Sequence, residues 1–328
     1  MDWSLILTNV AGELFAPTTA AFALAAIGLN VHFGLTGLLN MGQAGFMLLG
    51  AYGFAIATIE GWPLWAAVGV SIVLAVIFAT ILGIPTLKLR GDYLAIVTIA
   101  AAEIVRLVGR STALTDLTGA SNGLLGNSFK HTFQDASPFP DGSFSLGPFT
   151  YATNASNSWW LRIVGWLLVA AIALVVWRLM KSPWGRVLKG IREDEDAVRS
   201  LGKNVFAYKM QALVLGGTLG ALGGIVYALP RAVQPDAMGR TTTFYIWTIL
   251  LLGGAATIFG PILGSMIFWA GLMLIKSVMR ATVPADVMSV AQIEAFGWVI
   301  VGVVLMLLII FRPQGILGDK KELAIHAH

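Results

Sequence analysis

The residues able to do chemistry in this chain are few and lie far apart. Gly119-Ala120-Ser121-Asn122-Gly123 fits G-x-S-x-G, the spacing of a serine nucleophile. That motif works only on a strained strand-to-helix turn of a hydrolase sheet. Here it follows an apolar segment and enters a Pro-rich loop, so it reads as a Gly- and Ser-rich turn. Gly202-Lys203 is followed by Asn204, and Ala197 stands where a phosphate loop needs its first Gly. The chain therefore carries no ATP-hydrolysing signature of its own. The histidines are His32, His131, His326 and His328, and H-E-x-x-H is absent. There is no cysteine, which excludes disulfides, thiolate nucleophiles and zinc–thiolate sites. No metal or cofactor bound by this chain is expected.

The remaining ionisable residues are notable for where they sit. Glu103 and Arg106 share one face of an apolar segment at i, i+3. Charges inside a bilayer are costly and often functional. One reading makes the pair a gate or a cavity-lining pair on a translocation path. The other, which we favour, is a structural ion pair near the end of its helix. Arg90 and Asp92 flank the start of that helix, where an acid suits the helix dipole. Lys276 and Arg280 close a later segment. Beside Glu103, only Glu294 at the edge of the last segment is placed to relay protons, too few for an obvious proton relay.

The elements that position these residues follow from composition. Of 328 residues, 57% are hydrophobic and 12% charged, with mean hydropathy +0.80. Soluble domains carry about 25% charged residues. This is an integral membrane protein, and its net charge of +4 marks loops on one side of the membrane, not nucleic-acid binding. Nine apolar segments are predicted at 15–33, 41–59, 64–82, 93–108, 160–180, 210–229, 244–258, 262–278 and 296–311. The Gly-rich stretch 34–45 reads as a break within the membrane, which only a covering of protein makes tolerable. The N-terminus lacks the basic region of a signal peptide, so the first segment is expected to be retained.

Lys and Arg set the expected orientation. Arg178, Lys181, Arg186, Lys189, Arg192, Arg199, Lys203 and Lys209 fall between the fifth and sixth segments, which makes loop 181–208 cytoplasmic. Counting outward puts Lys88, Arg90 and the tail 312–328, with Arg312, Lys320 and Lys321, on the same side. Loop 111–158 and the acidic N-terminus fall outside. Loop 111–158 is too long for a simple connection and is expected to hold local structure. In the inner loop, Pro183 suits a helix start, and Val187, Ile191, Val198 and Leu201 recur at helical spacing up to Gly202. The expectation is one amphipathic helix whose apolar stripe docks onto something, the alternative being a solvated interhelical loop. Gly216, Gly220 and Gly224 form two overlapping G-x-x-x-G patterns, and Gly260 and Gly264 a third, a signal for close helix packing.

Leu87-Lys88-Leu89-Arg90-Gly91-Asp92-Tyr93-Leu94-Ala95-Ile96-Val97-Thr98 followed by Glu103-Ile104-Val105-Arg106 resembles the permeases of branched-chain amino acid ABC importers, of the LivM type. Four further stretches agree in order. Gly28-Leu29-Asn30 through Gly37-Leu38-Leu39-Asn40-Met41-Gly42-Gln43-Ala44 resembles the family's broken early helix, which brings Asn40 and Gln43 to the translocation path as candidates. Thr118 to Leu124 resembles its outer loop, with Ala120 in place of a usual Gly. Gly253-Gly254 through Gly260-Pro261-Ile262-Leu263-Gly264 and Phe311-Arg312-Pro313-Gln314-Gly315-Ile316-Leu317-Gly318 complete the set. The inner loop Asp196-Ala197-Val198-Arg199-Ser200-Leu201-Gly202 is similar to the E-A-A-x-x-x-G coupling motif of ABC importer permeases, with Asp for Glu and Val for Ala.

The resemblance implies an all-α polytopic membrane protein. It has about 8–10 transmembrane helices, a broken early helix and a cytoplasmic coupling helix, in one permease domain covering residues 1–328. It implies a second homologous permease, two ABC ATPase subunits that use the ATP, an extracytoplasmic solute-binding protein and an amino acid substrate. Coupling would fall to Arg186, Ile191, Asp196, Ala197, Val198, Leu201 and Gly202. Urea and amide importers have similar permeases and stay open as alternatives. So does an ATP-independent carrier or channel, which would not need the inner amphipathic helix.

Overall fold

A computed structural model describes residues 3–88, 91–154, 157–283, 288–311 and 314–318. Arg90, Arg312, Pro313, Lys320 and Lys321, which entered the charge count and the C-terminal motif, lie outside the described residues. The helices run α1 (Trp3–Leu14), α2 (Pro17–Asn30), α3 (Gln43–Ile59), α4 (Leu64–Thr86) and α5 (Gly91–Gly109). After loop 110–158 come α6 (Trp159–Lys181), α7 (Pro183–Glu193), α8 (Glu195–Ser200) and α9 (Val205–Ala228). The chain continues through α10 (Arg240–Gly253), α11 (Gly260–Thr282) and α12 (Val290–Phe311). Among the described residues, five helices are long and apolar enough to cross a membrane: Pro17–Leu35, Leu64–Thr86, Trp159–Lys181, Val205–Ala228 and Gly260–Thr282. Gln43–Ile59 and Val290–Val304 are shorter apolar helices. The fold is that of an all-α polytopic membrane protein.

Each expected segment has its helix. The tenth, α1, is additional: its 12 residues are too short for a span and include Ser, Thr and Asn. It packs along α11. The tenth helix and the shifted ends have local causes. The Asn204 side chain accepts from Ala207 N at 3.1 Å, so α9 starts before its apolar run. Gly254, at φ 113°, stops α10 short of the apolar run that continues to Ile258.

The core is built around α2, all of whose residues are buried. It packs on α9, which also receives α3 and α4. Glycines set these distances. A Cβ on Gly28 would overlap the Gly216 carbonyl, and one on Gly216 would overlap the Gly28 carbonyl and the His32 ring. Gly224 faces the Met47 backbone in the same way, and Gly220 faces the Gln43 amide. Gly253, Gly260 and Gly264 bring the α10–α11 hairpin into backbone contact.

Loop 110–158 folds over one end of the bundle, called here the hairpin face. It contains the short helices Thr115–Thr118, Gly126–Phe129 and His131–Asp135. An antiparallel hairpin follows, β1 (Ser143–Leu146) and β2 (Phe149–Ala152), which the all-helical expectation lacked. The opposite end carries α7 and α8 and is called the basic face.

Candidate functional site

Three constellations contain the candidate residues. The first is on the basic face. Ser182 caps α7 with its side chain, and Pro183 stands at the first helical position. Leu188 and Ile191 are buried in the subunit's own core, with Val187 and Val198 packed against it. Trp184 Nε1 donates to Gln211 Oε1 at 2.8 Å, and Arg192 Nη1 donates to Gly34 O at 2.5 Å. Asp194 then leaves helical geometry at φ −153°, ψ 104°, and its side chain accepts from Asp196 N and Ala197 N to start α8.

The single amphipathic helix expected over 183–202 is therefore two helices with a capped joint. The apolar stripe turns inward. Ile191, Val187 and Val198 hold the device onto its own subunit, because that side faces the core. Only Leu201 points away, at 79% exposed. Arg186, Asp196, Ala197 and Gly202 are exposed as well, the last at φ 76°. Arg199 pairs with Asp196 at 2.7 Å and with Glu195 at 2.8 Å, and Lys209 pairs with Glu195.

The second constellation is the break after α2. The helix loosens into a π turn, Val31–Leu35, and the chain is irregular until α3. Protein groups satisfy the freed backbone, as an apolar setting requires. Met41 N donates to Thr98 Oγ1 at 2.9 Å, Ala44 N to Thr243 Oγ1 at 3.1 Å, and Trp247 Nε1 to Asn40 O at 3.1 Å. The Asn40 amide lies 3.0 Å from His32 Nδ1 and donates to Gln43 Oε1 at 3.1 Å. His32 Nε2 lies 3.0 Å from Leu213 O. An amide NH2 only donates and a carbonyl only accepts, so His32 is neutral with its proton on Nε2. Gln43 Nε2 donates to Ala25 O at 3.2 Å and to Gly216 O at 3.1 Å.

Asn40 and Gln43 are both 0% exposed. Every polar atom of the two side chains is engaged inside the subunit. Of this node's members, His32, Thr98, Thr243 and Trp247 were not singled out from sequence. A histidine inside an apolar segment was the available signal.

The third constellation lies on the hairpin face. Arg106 pairs with Glu103 at 2.5 Å and with Asp236. Arg240 stands 3.9 Å from Glu103, and Arg110 3.7 Å from Asp236. The network ties α5 to the turn Pro235–Met238 and to the start of α10. Glu103 and Arg106 thus belong to a charge cluster that does not include Asn40 or Gln43. Asp236 and Arg240 lie between two apolar segments, and nothing in their spacing announced the contact.

The glycines Gly216, Gly220, Gly224, Gly260 and Gly264 stand at the helix crossings described above.

A family model for the branched-chain amino acid transport system / permease component matches residues 14–311. The high-affinity branched-chain amino acid transport system permease protein LivM of Escherichia coli K12 is 31% identical over 92% of this chain and 69% of its own length. The probable branched-chain amino acid transport permease protein LivM of Methanocaldococcus jannaschii is 25% identical over 91% of each chain. Among solved structures, a chain of PsaBC from Streptococcus pneumoniae, in complex with Fab, is similar at TM-score 0.42 and 16% identity, over 92% of this chain and 91% of that one. With a family model spanning nearly every helix of the bundle, the chain belongs to the permease components of branched-chain amino acid transport systems.

Proposed function

We propose that this permease carries branched-chain amino acids inward by alternating access, driven by ATP that partner subunits hydrolyse. The assembly comprises a second homologous permease, two ABC ATPase subunits and an extracytoplasmic solute-binding protein. The basic face is cytoplasmic and the hairpin face receives the binding protein. The chain itself binds no cofactor, and its C-terminus lies on the cytoplasmic side of the plasma membrane. The sequence similarity to the LivM permeases supports the substrate class.

The observation that carries the mechanism is the construction of α7 and α8. Helix α8 has no buried residue and presents Leu201 to whatever docks there. Helix α7 is seated in the core and bonded through Arg192 to the carbonyl of Gly34 in the π turn. Movement of a docked ATPase is thereby transmitted from α8 through α7 to the break in the early helix. A bistable bundle needs such a lever.

The test is Leu201→Asp in the transporter reconstituted in liposomes. An exposed docking side chain can be altered without harm to folding, so membrane abundance should hold while ATP-driven uptake of labelled leucine is lost. Normal uptake at normal abundance would remove the lever from the mechanism.

A further inference from the structure

The β1–β2 hairpin has two unlike faces. Its register places Phe144 opposite Tyr151 and Leu146 opposite Phe149, so these four side chains share one face. The other face carries Ser143, Ser145, Thr150 and Ala152, with Ser145 Oγ and Thr150 Oγ1 2.9 Å apart. Only part of the apolar face is covered by the subunit. Tyr151 lies under the Arg162 guanidinium, 3.8 Å from its ring centroid. Phe144 and Leu146 remain 57% and 60% exposed. An isolated two-stranded hairpin is marginal in water, and leaving its apolar face wet makes it worse.

The hairpin is also held at a defined level. Trp159 Nε1, in the first turn of α6, donates to Phe144 O at 2.8 Å. Trp159 and Trp160 begin a membrane helix, where tryptophans mark the boundary between headgroups and hydrocarbon. Between hairpin and helix runs a groove of about 560 Å³, lined by Phe139, Phe144, Leu146, Trp159 and Ile163 together with residues 140–143 and Thr153. Along α6 the exposed apolar surface continues through Ile163, Leu167 and Leu174, the side a bilayer covers. The apolar face of the hairpin is thus continuous with lipid-facing surface and begins at the depth of the aromatic belt.

We propose that the hairpin is an interfacial anchor. Its Phe144–Leu146 side enters the headgroup–acyl boundary of the leaflet on the hairpin face, and its groove takes an acyl chain of a phospholipid. Amphipathic elements bury their apolar side to this depth, about 5–10 Å, in the interface.

The chain has no cysteine, so an introduced one is unique within it. Leu146→Cys and Ser145→Cys, neighbours on opposite faces, are each labelled with bimane in the assembled transporter. The complex is placed in phosphatidylcholine nanodiscs, with the unaltered assembly as background. With lipid bearing a doxyl group near the headgroup, the Leu146→Cys label should be quenched several-fold more than the Ser145→Cys label. Aqueous iodide should show the opposite order. Phe144→Cys provides a second position on the apolar face and should follow Leu146→Cys. Equal iodide quenching at both faces without doxyl quenching would overturn the anchor. So would shielding at Leu146→Cys that appears only when the solute-binding protein is added, which would make this face a protein contact.

Discussion

At the scale of residues, the buried amide of Gln43 is tied to two helices at once. It donates to Ala25 O on α2 and Gly216 O on α9 and accepts from Asn40. Leucine in its place is similar in size but leaves one hydrogen of the Asn40 amide unpaired in a dry core. An unmet buried donor costs about 1–3 kcal/mol. Gln43→Leu should therefore lower the melting temperature of the purified chain, with unchanged preference among leucine, isoleucine and valine in uptake by the reconstituted transporter. A changed preference at wild-type stability would place Gln43 on the translocation path. Gly123 makes a second residue-scale case. Its φ is 70°, and a Cβ there would overlap the Val233 carbonyl, beside the Leu124–Val233 bridge. With ψ at −171° this is backbone that essentially only Gly adopts, and it costs a Cβ-bearing residue about 1–3 kcal/mol. Gly123→Ala should destabilise the chain and speed proteolytic cleavage near residues 119–124, and an unaltered melting curve would contradict this account. Neighbouring Ala120 already holds φ 50° where the resembling family places Gly, so this loop demands its shape even from an unsuited residue.

At the scale of elements, the α7–α8 joint depends on one side chain. Helix α8 has six residues, too few to be stable alone. The Asp194 carboxylate binds two of its free N–H groups at 3.0 Å. Losing such a cap costs about 1 kcal/mol, a large share of what so short a helix has. Asp194→Ala should raise amide exchange across residues 195–201 while α9 stays protected, and Asp194→Asn should preserve the wild-type pattern. Equal protection in the alanine variant would mean that ion pairs, such as Lys209 with Glu195, hold α8 instead. This joint also shows what sequence makes legible. The apolar spacing over 187–201 located a helical region correctly, because periodicity reports which residues share a face. It did not report what that face meets: Ile191 and Val198 turn inward and Leu201 outward. Nor did it report the joint, since Asp194 sits in an acidic run where a cap looks like any other acid. Long apolar runs announced nine helices, whereas α1 is short and mixed, and the hairpin is specified by a four-residue alternation within a polar loop.

At the scale of the whole molecule, the glycine contacts decide how the bundle can move. Helices α2 and α9 meet backbone to backbone at Gly28 and Gly216, and α3 meets α9 at Gly50 and Gly224. Surfaces that close have no slack for sliding without collision, so in the proposed mechanism α2, α3 and α9 act as one block. Motion must then enter the block where its regular structure already yields, and the π turn Val31–Leu35 is such a place. Arg192 is the bond that reaches it from the basic face, donating to Gly34 O. The charge cluster of Arg106, Glu103 and Asp236 closes the opposite end, joining α5 to the turn before α10. In the proposed mechanism, a push at α8 and a response on the hairpin face are linked through one rigid block and one soft turn. Arg192→Leu keeps an apolar stem against α7 but removes the bond. A hydrogen bond from a charged group is worth about 1.5–3 kcal/mol, so transmission should fall about tenfold or more. The expected result is a reconstituted transporter that assembles, hydrolyses ATP at a near-normal rate and takes up leucine about tenfold more slowly. Loss of ATPase association in proportion to uptake would instead assign Arg192 to docking, and the path from α8 to the early helix would have to run through Trp184 and α9.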